Sequence, residues 1–171
     1  MVIIVFGLPG SGKSYFASRL AKMISADYIN SDRVRKEMYK KSTYSAEEKK
    51  AVYNEMMAKM KEALHYNRNV VLDATFHKNE TRKQFVDAME GKDCIYFIEV
   101  WAHENIIRER LKKERPYSDA DFSIYQIICG HNEPMKEPHL LLQSTNGDNI
   151  DSNLQKASDY LKWSDDKRTD Q

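Results

Sequence analysis

Long hydrophobic runs are missing from this chain. The longest uninterrupted apolar stretch covers residues 1–6, and a bilayer needs about 20. No basic segment precedes that run and glycine follows it at once, so no secretory signal and no membrane partner are expected. An excess of either charge is missing too: 27 basic against 26 acidic side chains leave +1. Proteins that coat long nucleic acid are usually far more basic, so the balance argues against an extensive phosphate footprint and leaves room for local patches. Cysteine is scarce. Cys94 and Cys129 make neither a disulfide framework nor a closely spaced metal-ligand pair, and a reducing cytoplasm is the expected setting. Repeats, low-complexity tracts and Pro/Gly/Ser linkers are absent. With 171 residues, 41% of them hydrophobic and 31% charged, the chain reads as one domain over 1–171 carrying a small lid over about 103–130.

Short apolar runs alternate with helix-period segments. Residues 1–6 are β-branched and continuous, as in a strand buried on both faces. Phe16, Leu20, Met23 and Ile24 follow at helical spacing. Residues 27–29 predict a short strand, with Ser31 or Asp32 able to cap the basic helix after it. Ser45-Ala46-Glu47-Glu48 is a capping-box pattern opening a long helix with Val52, Met56, Met60 and Leu64 on one stripe. Met56, Met57 and Met60 read as core filling rather than a sticky face. Strands are expected at 70–73, 94–101 and 139–142. Helices are expected near 78–90, over 103–115, from Ser118 or Asp119, and over 154–163. The pattern predicts an α/β fold of three layers, about five parallel strands with helices on both faces and a small helical lid.

Gly7-Leu8-Pro9-Gly10-Ser11-Gly12-Lys13-Ser14 matches G-x-x-x-x-G-K-[ST] between a buried strand and an amphipathic helix. Glycines there let backbone N–H groups converge on a phosphate, and the helix N-terminus adds partial positive charge. Lys13 is placed to reach β/γ-phosphates, the Ser14 hydroxyl to ligate Mg²⁺, and Tyr15 to complete the nucleotide site. Residues 144–148 are expected to border the base. The motif therefore predicts ATP and Mg²⁺ as cofactors in a P-loop NTPase or kinase fold.

Asp73 ends an apolar strand and is followed by Ala74-Thr75. At the carboxyl edge of a parallel sheet it faces the ligand crevice. Three roles are open to it: holding Mg²⁺ or its water, orienting an acceptor with Thr75, or bonding its own turn. Asp32 and Arg35 lie three apart on one helix face. Asp32 is a candidate general base and Arg35 a candidate bidentate clamp for a substrate phosphate, against a plain helix cap and a surface charge. Residues 108–115 carry five basic and two acidic side chains. They read either as a solvated, ion-paired helix or as a lid with an arginine against the transferring phosphoryl, Arg110 and Arg115 being the candidates. A second basic cluster at 33–41 flanks the acceptor side. The five histidines show no metal-ligand spacing, and His77 is a candidate substrate contact.

These residues together resemble a group of small predicted P-loop kinases related to the kinase module of polynucleotide 5′-hydroxyl kinases. The matching stretches are Gly7 to Ser14, Ser31-Asp32-Arg33-Val34-Arg35, Val71-Leu72-Asp73-Ala74-Thr75 and the arginine-rich helix to Arg115, within roughly 1–150. The resemblance implies general-base duty for Asp32, a substrate-phosphate contact for Arg35, and transfer of the ATP γ-phosphoryl to a hydroxyl, either a polynucleotide 5′-end or a small metabolite. Phe76-His77-Lys78 stands where polynucleotide kinases carry an Asn-rich turn, which bears on the acceptor rather than on ATP. A regulatory ATP-binding switch and a toxin-like nucleotide-sugar kinase share the P-loop and remain alternatives.

Overall fold

A computed structural model describes residues 1–89, 94–113, 120–147 and 149–169, the stretch 163–169 by backbone only. Strands β1 (Val2–Phe6), β2 (Asp27–Asn30), β3 (Val70–Asp73), β4 (Ile95–Trp101) and β5 (Leu140–Gln143) form one parallel sheet ordered β2-β3-β1-β4-β5. The period-2 alternation of a strand explains the layers, because successive β1 side chains go to opposite faces. Val2, Ile4 and Phe6 join Val52, Met56 and Met60 of α3 (Ala46–His65) and Phe85 of α4 (Asn79–Asp87). Ile3 and Val5 join Phe16 and Leu20 of α1 (Lys13–Met23) and Ala157 and Leu161 of α7 (Ile150–Thr169). The three-layer α/β prediction is therefore met, and Met56 and Met60 are fully buried core. Helix α2 (Ser31–Met38) packs on α3. A separate small cluster joins Ile107 and Leu111 of α5 (Glu104–Leu111) to Tyr125 of α6 (Phe122–Gly130), with Leu8 against it.

Several boundaries move, each for a local reason. Met23 is 46% exposed instead of lying on the core side, because α1 ends there and the chain turns through Ser25 at φ 53°. Neither Ser31 nor Asp32 caps α2. β2 runs directly into the helix, so the last strand residue, Asn30, accepts from the Arg33 amide at 3.0 Å. Helix α6 is capped by Asp121, which accepts from the Ile124 amide at 3.0 Å; the expected starts at Ser118 and Asp119 lie outside the described residues. Helix α7 begins at Ile150 rather than Leu154, where Asn149 and Asn153 both donate to the Gln143 carbonyl at 2.9 Å and tie the helix to the end of β5. Among the described residues, no helix is long and apolar enough to cross a membrane.

Candidate active site

Because all five strands run the same way, their carboxyl ends meet at one edge, where ligands of open α/β sheets bind. The segments that follow β1, β2, β3 and β5, which carry most of the candidate residues, leave from that edge. After β1 the chain makes the 7–14 loop, which ends at Gly12 with φ 94°, a left-handed conformation that opens α1 without a side-chain cap. A Cβ on Gly12 would sit 2.6 Å from Ser144 Oγ and 3.1 Å from Arg110 Nη1, so only glycine fits. Gly7 is closed in similarly: a Cβ there would meet the Val100 carbonyl oxygen at 2.2 Å. Lys13 Nζ donates to the Leu8 carbonyl at 3.5 Å across the loop, and Ser11 is buried with its Oγ unpartnered. Tyr15 is half exposed, with the Arg19 guanidinium 3.5 Å from its ring centre.

Two cavities flank this loop, and both are lined by Lys13 and Ser14. The larger, about 570 Å³, runs from Gly12 and Tyr15 to Arg110, Lys113 and residues 144–147 of the loop after β5. Arg110 ties its walls together. Its Nη1 donates to the Gly10 and Ser11 carbonyls at 3.3 and 3.2 Å, and its Nη2 to Ser144 Oγ and the Thr145 carbonyl at 3.0 and 2.7 Å. One guanidinium thus spans the P-loop and the loop after β5, and its planar fork of donors suits that bridging.

The second cavity, about 280 Å³, lies between α2, α3 and α6. Asp32, Arg35, Lys49 and Thr75 supply its polar wall; Val52, Ile124, Ile127 and Ile128 supply the apolar one. Arg35 is 9% exposed and donates through Nη1 to Glu48 Oε1 at 2.9 Å, while its guanidinium carbon lies 4.8 Å from the Tyr44 ring centre. Glu48 also accepts from the Thr43 amide and hydroxyl at 2.7 and 2.9 Å. Burial alone would raise the Glu48 pKa; the Thr43 bonds and the Arg35 guanidinium instead bring it down to about 2. Sequence reasoning had Glu48 only as the acid of a capping box. The Ser45 half of that pattern holds, with Ser45 Oγ accepting from the Glu48 amide at 3.1 Å, but the carboxylate is drawn to Arg35. Nothing in one sequence links positions 35 and 48 before the fold does. Behind Thr75, Tyr53 is buried, and burial pushes its hydroxyl pKa up.

Asp73 is fully buried. Tyr28 Oη and Asn30 Nδ2 both donate to its Oδ2 at 2.6 Å, while its Oδ1 has no partner. Register explains the meeting, since Asn30 pairs with Asp73 across β2 and β3 and Val5 pairs with Asp73 across β1 and β3. The Tyr28 hydroxyl also interacts with Ser14. Burial and the adjoining Asp73 push its pKa up, so it stays protonated and a donor. A carboxylate with one oxygen held and one left bare, linked to Ser14 through the Tyr28 hydroxyl, fits Mg²⁺ bound directly or through water, although Asp73 itself lines neither cavity. No group of three or more His, Cys, Asp or Glu side chains is placed to hold a metal among the described residues.

Other candidates fall elsewhere. His77 is buried outside both cavities; burial first, then Lys49 and Lys78, bring its pKa down to about 4. Its carbonyl accepts from the Glu133 amide at 2.8 Å. Phe76, which departs from the polynucleotide-kinase turn, is fully buried at φ 44° against Tyr53 and Phe85, and its carbonyl accepts from Arg82 at 2.6 Å. The 33–41 cluster is divided, with Arg33 over the Tyr28 ring, Arg35 on Glu48, and Glu37 paired with Lys59. Arg108 keeps the solvated-helix pattern, pairing with Glu104 and stacking on Phe122. Arg115 lies outside the described residues.

A protein-family model described as an AAA domain matches residues 2–125. A sugar kinase from Janibacter sp. HTCC2649 superimposes with a TM-score of 0.72 at 16% identity, over 94% of each chain. Kti12 from Chaetomium thermophilum, in complex with ADP-AlF₃, gives 0.69 at 21% identity over 93% of this chain and 98% of that one. The APS kinase CysC from Mycobacterium tuberculosis, bound to AMPPNP and APS, gives 0.69 at 17% identity over 94% and 96%. At these identities the likeness is one of fold. No curated protein matches the chain.

Proposed function

The chain belongs to the AAA domain family, and from that premise we propose that it is an ATP-dependent phosphotransferase moving the γ-phosphoryl of ATP to a hydroxyl acceptor, either a polynucleotide 5′-end or a small metabolite. The observation that carries this reading is the pair of cavities meeting at Lys13 and Ser14, one of them containing Asp32. A hydrolytic switch needs only a positioned water, whereas a transferase needs a second walled site with a base. The cap of α2 is Asn30, not Asp32.

In this reading the 7–14 backbone and Lys13 hold the phosphates, and residues 144–147 with Arg110 border the base. Arg110 is a positioning residue that fixes the P-loop against the loop after β5. The lid over about 103–130, with Arg115 in it, closes over the transfer. Ser14 and Asp73 would hold Mg²⁺, which when bound would supply positive charge offsetting that of the phosphates. Asp32 takes the proton of the acceptor hydroxyl as that oxygen bonds the γ-phosphorus, while the bond to the β-phosphate oxygen breaks and ADP leaves. The protein's part is mainly alignment and electrostatics.

The test is single-turnover transfer from γ-labelled ATP with the wild type and Asp32→Asn. The variant is expected to bind Mg·ATP near normally and to transfer about 10²–10⁴-fold more slowly, the scale of a lost general base. Full-rate transfer by Asp32→Asn, or ATP consumption that ignores every acceptor, would overturn the assignment.

A further inference from the structure

The acceptor cavity has a polarity that the family resemblance does not give. The resemblance puts the substrate's anion on Arg35, yet Arg35 already spends Nη1 on Glu48 and rests on Tyr44, leaving Nε buried without a partner. Lys49 is the next residue along α3 from Glu48 and lines the same cavity. No carboxylate pairs with it among the described residues. Burial first, then Arg35 (paired with Glu48) and Lys78 (paired with Glu133 outside the cavity), bring its pKa down. Lys49 thus stands half-buried on the cavity wall with no ion-pair partner among the described residues, and an anion there supplies the missing counter-charge. Facing this wall across the cavity are the isoleucines of α6. Their apolar surface gains by covering an apolar ligand flank.

We propose that the acceptor is a small alcohol bearing its own anionic group, with the anion on Lys49 beside the Arg35 guanidinium, an apolar flank under Ile124, Ile127 and Ile128, and the hydroxyl at Asp32. This rests on the phosphotransferase reading and sharpens its acceptor. A cavity of about 280 Å³ is at the small end for ligand sites and too small for a strand of nucleotides. A polynucleotide also needs a continuous basic track, and two of the five basic residues of 33–41, Arg33 and Arg35, are turned to Tyr28 and Glu48. Carboxylate, phosphate and sulfate share the required chemistry, and the probes below separate the first two.

Two measurements on the full chain keep this inference apart from the kinase reading. Calorimetric titration in saturating Mg·AMPPNP compares glycerate and glycerol 3-phosphate with glycerol, and 4-(hydroxymethyl)benzoate with 4-methylbenzyl alcohol. A 5′-hydroxyl oligonucleotide is the remaining probe. At least one anionic alcohol is expected to bind ten times more tightly than its neutral counterpart. Lys49→Gln should remove that preference, and Lys50→Gln, an equal charge change on an exposed neighbour, should keep it. Transfer assays with the same panel follow. Binding with this pattern but without transfer supports the anion site and sinks the kinase reading. Transfer to neutral alcohols or to the oligonucleotide with no anion preference overturns the inference and leaves the kinase reading standing. Absence of binding by every anionic probe, or equal loss in Lys49→Gln and Lys50→Gln, also overturns it.

Discussion

The two sides of the site are built differently. The nucleotide side is largely backbone: seven consecutive residues from Gly7 to Lys13, with the Gly10, Ser11 and Thr145 carbonyls gathered by one guanidinium. The acceptor side is almost all side chain, drawn from α2, α3 and α6 and joined by contacts such as Arg35 to Glu48 across 13 positions. A backbone cradle is specified by which residues lack a Cβ, so it is written in a short motif. A side-chain pocket is specified by which helices pack together, so its residues are exchangeable one at a time. That contrast fits a fold in which phosphate binding is fixed while the acceptor is free to vary.

The sharpest way to break this comparison is at Lys13. Lys13→Ala is expected to slow transfer by about 10²–10³-fold, as for losing one preorganised donor to developing charge, with thermal unfolding unchanged. Wild-type turnover in the folded variant would deprive the nucleotide side of its role.

Arg110 tests whether the cradle needs external support. Its four acceptors lie on two loops, so Arg110→Ala should loosen both and raise the KM for ATP about tenfold, with a smaller fall in kcat. Loss confined to interactions made in the transition state gives the reverse split. Steady-state kinetics at saturating acceptor decides between them: a large kcat fall at constant KM would return Arg110 to contacting the transferring phosphoryl.

Legibility followed the same division. The 7–14 loop, the β1 run and the Met stripe of α3 were readable because each signal is local: a fixed spacing, a continuous apolar run, a helical period. Asp32, Asp73 and Thr75 were placed at the sheet edge for the same reason, since Asp73 ends a strand and the other two lie two residues past a strand end. Tyr28 and Asn30, which hold Asp73, were not readable, because strand register decides who faces whom and the sequence does not print register. The cap of α2 was misplaced by one or two residues because three capping residues, Asn30, Ser31 and Asp32, stand in a row. Only the abrupt turn out of β2 selects the first. Lys49 carried no signal at all, being one lysine among several on a charged helix until α6 closed a cavity over it.

Glu48 probes the acceptor side where it is most exposed to perturbation, and its effect is the mildest of the three at neutral pH. Its carboxylate orders the 43–45 turn, starts α3 and pins the Arg35 guanidinium, so it acts on the acceptor only through Arg35. Glu48→Gln keeps the shape and an oxygen for the Thr43 amide but leaves Arg35 a buried cation without its counter-charge. The KM for acceptor should rise several-fold, the KM for ATP should move much less, and the melting temperature should drop by several degrees. Acid separates the charge from the shape. The folded pKa of about 2 lies below the ordinary 4.5, so the stabilisation from this carboxylate is complete above pH 4.5 and is lost as pH falls through 2. Wild-type stability should therefore fall more steeply across that window than that of Glu48→Gln, which has no proton to take up there. Urea midpoints measured between pH 5 and 2 read the difference directly. Parallel slopes for the two proteins would mean that Glu48 is not the charge holding α2 to α3, and that Arg35 draws its position from packing on Tyr44 alone.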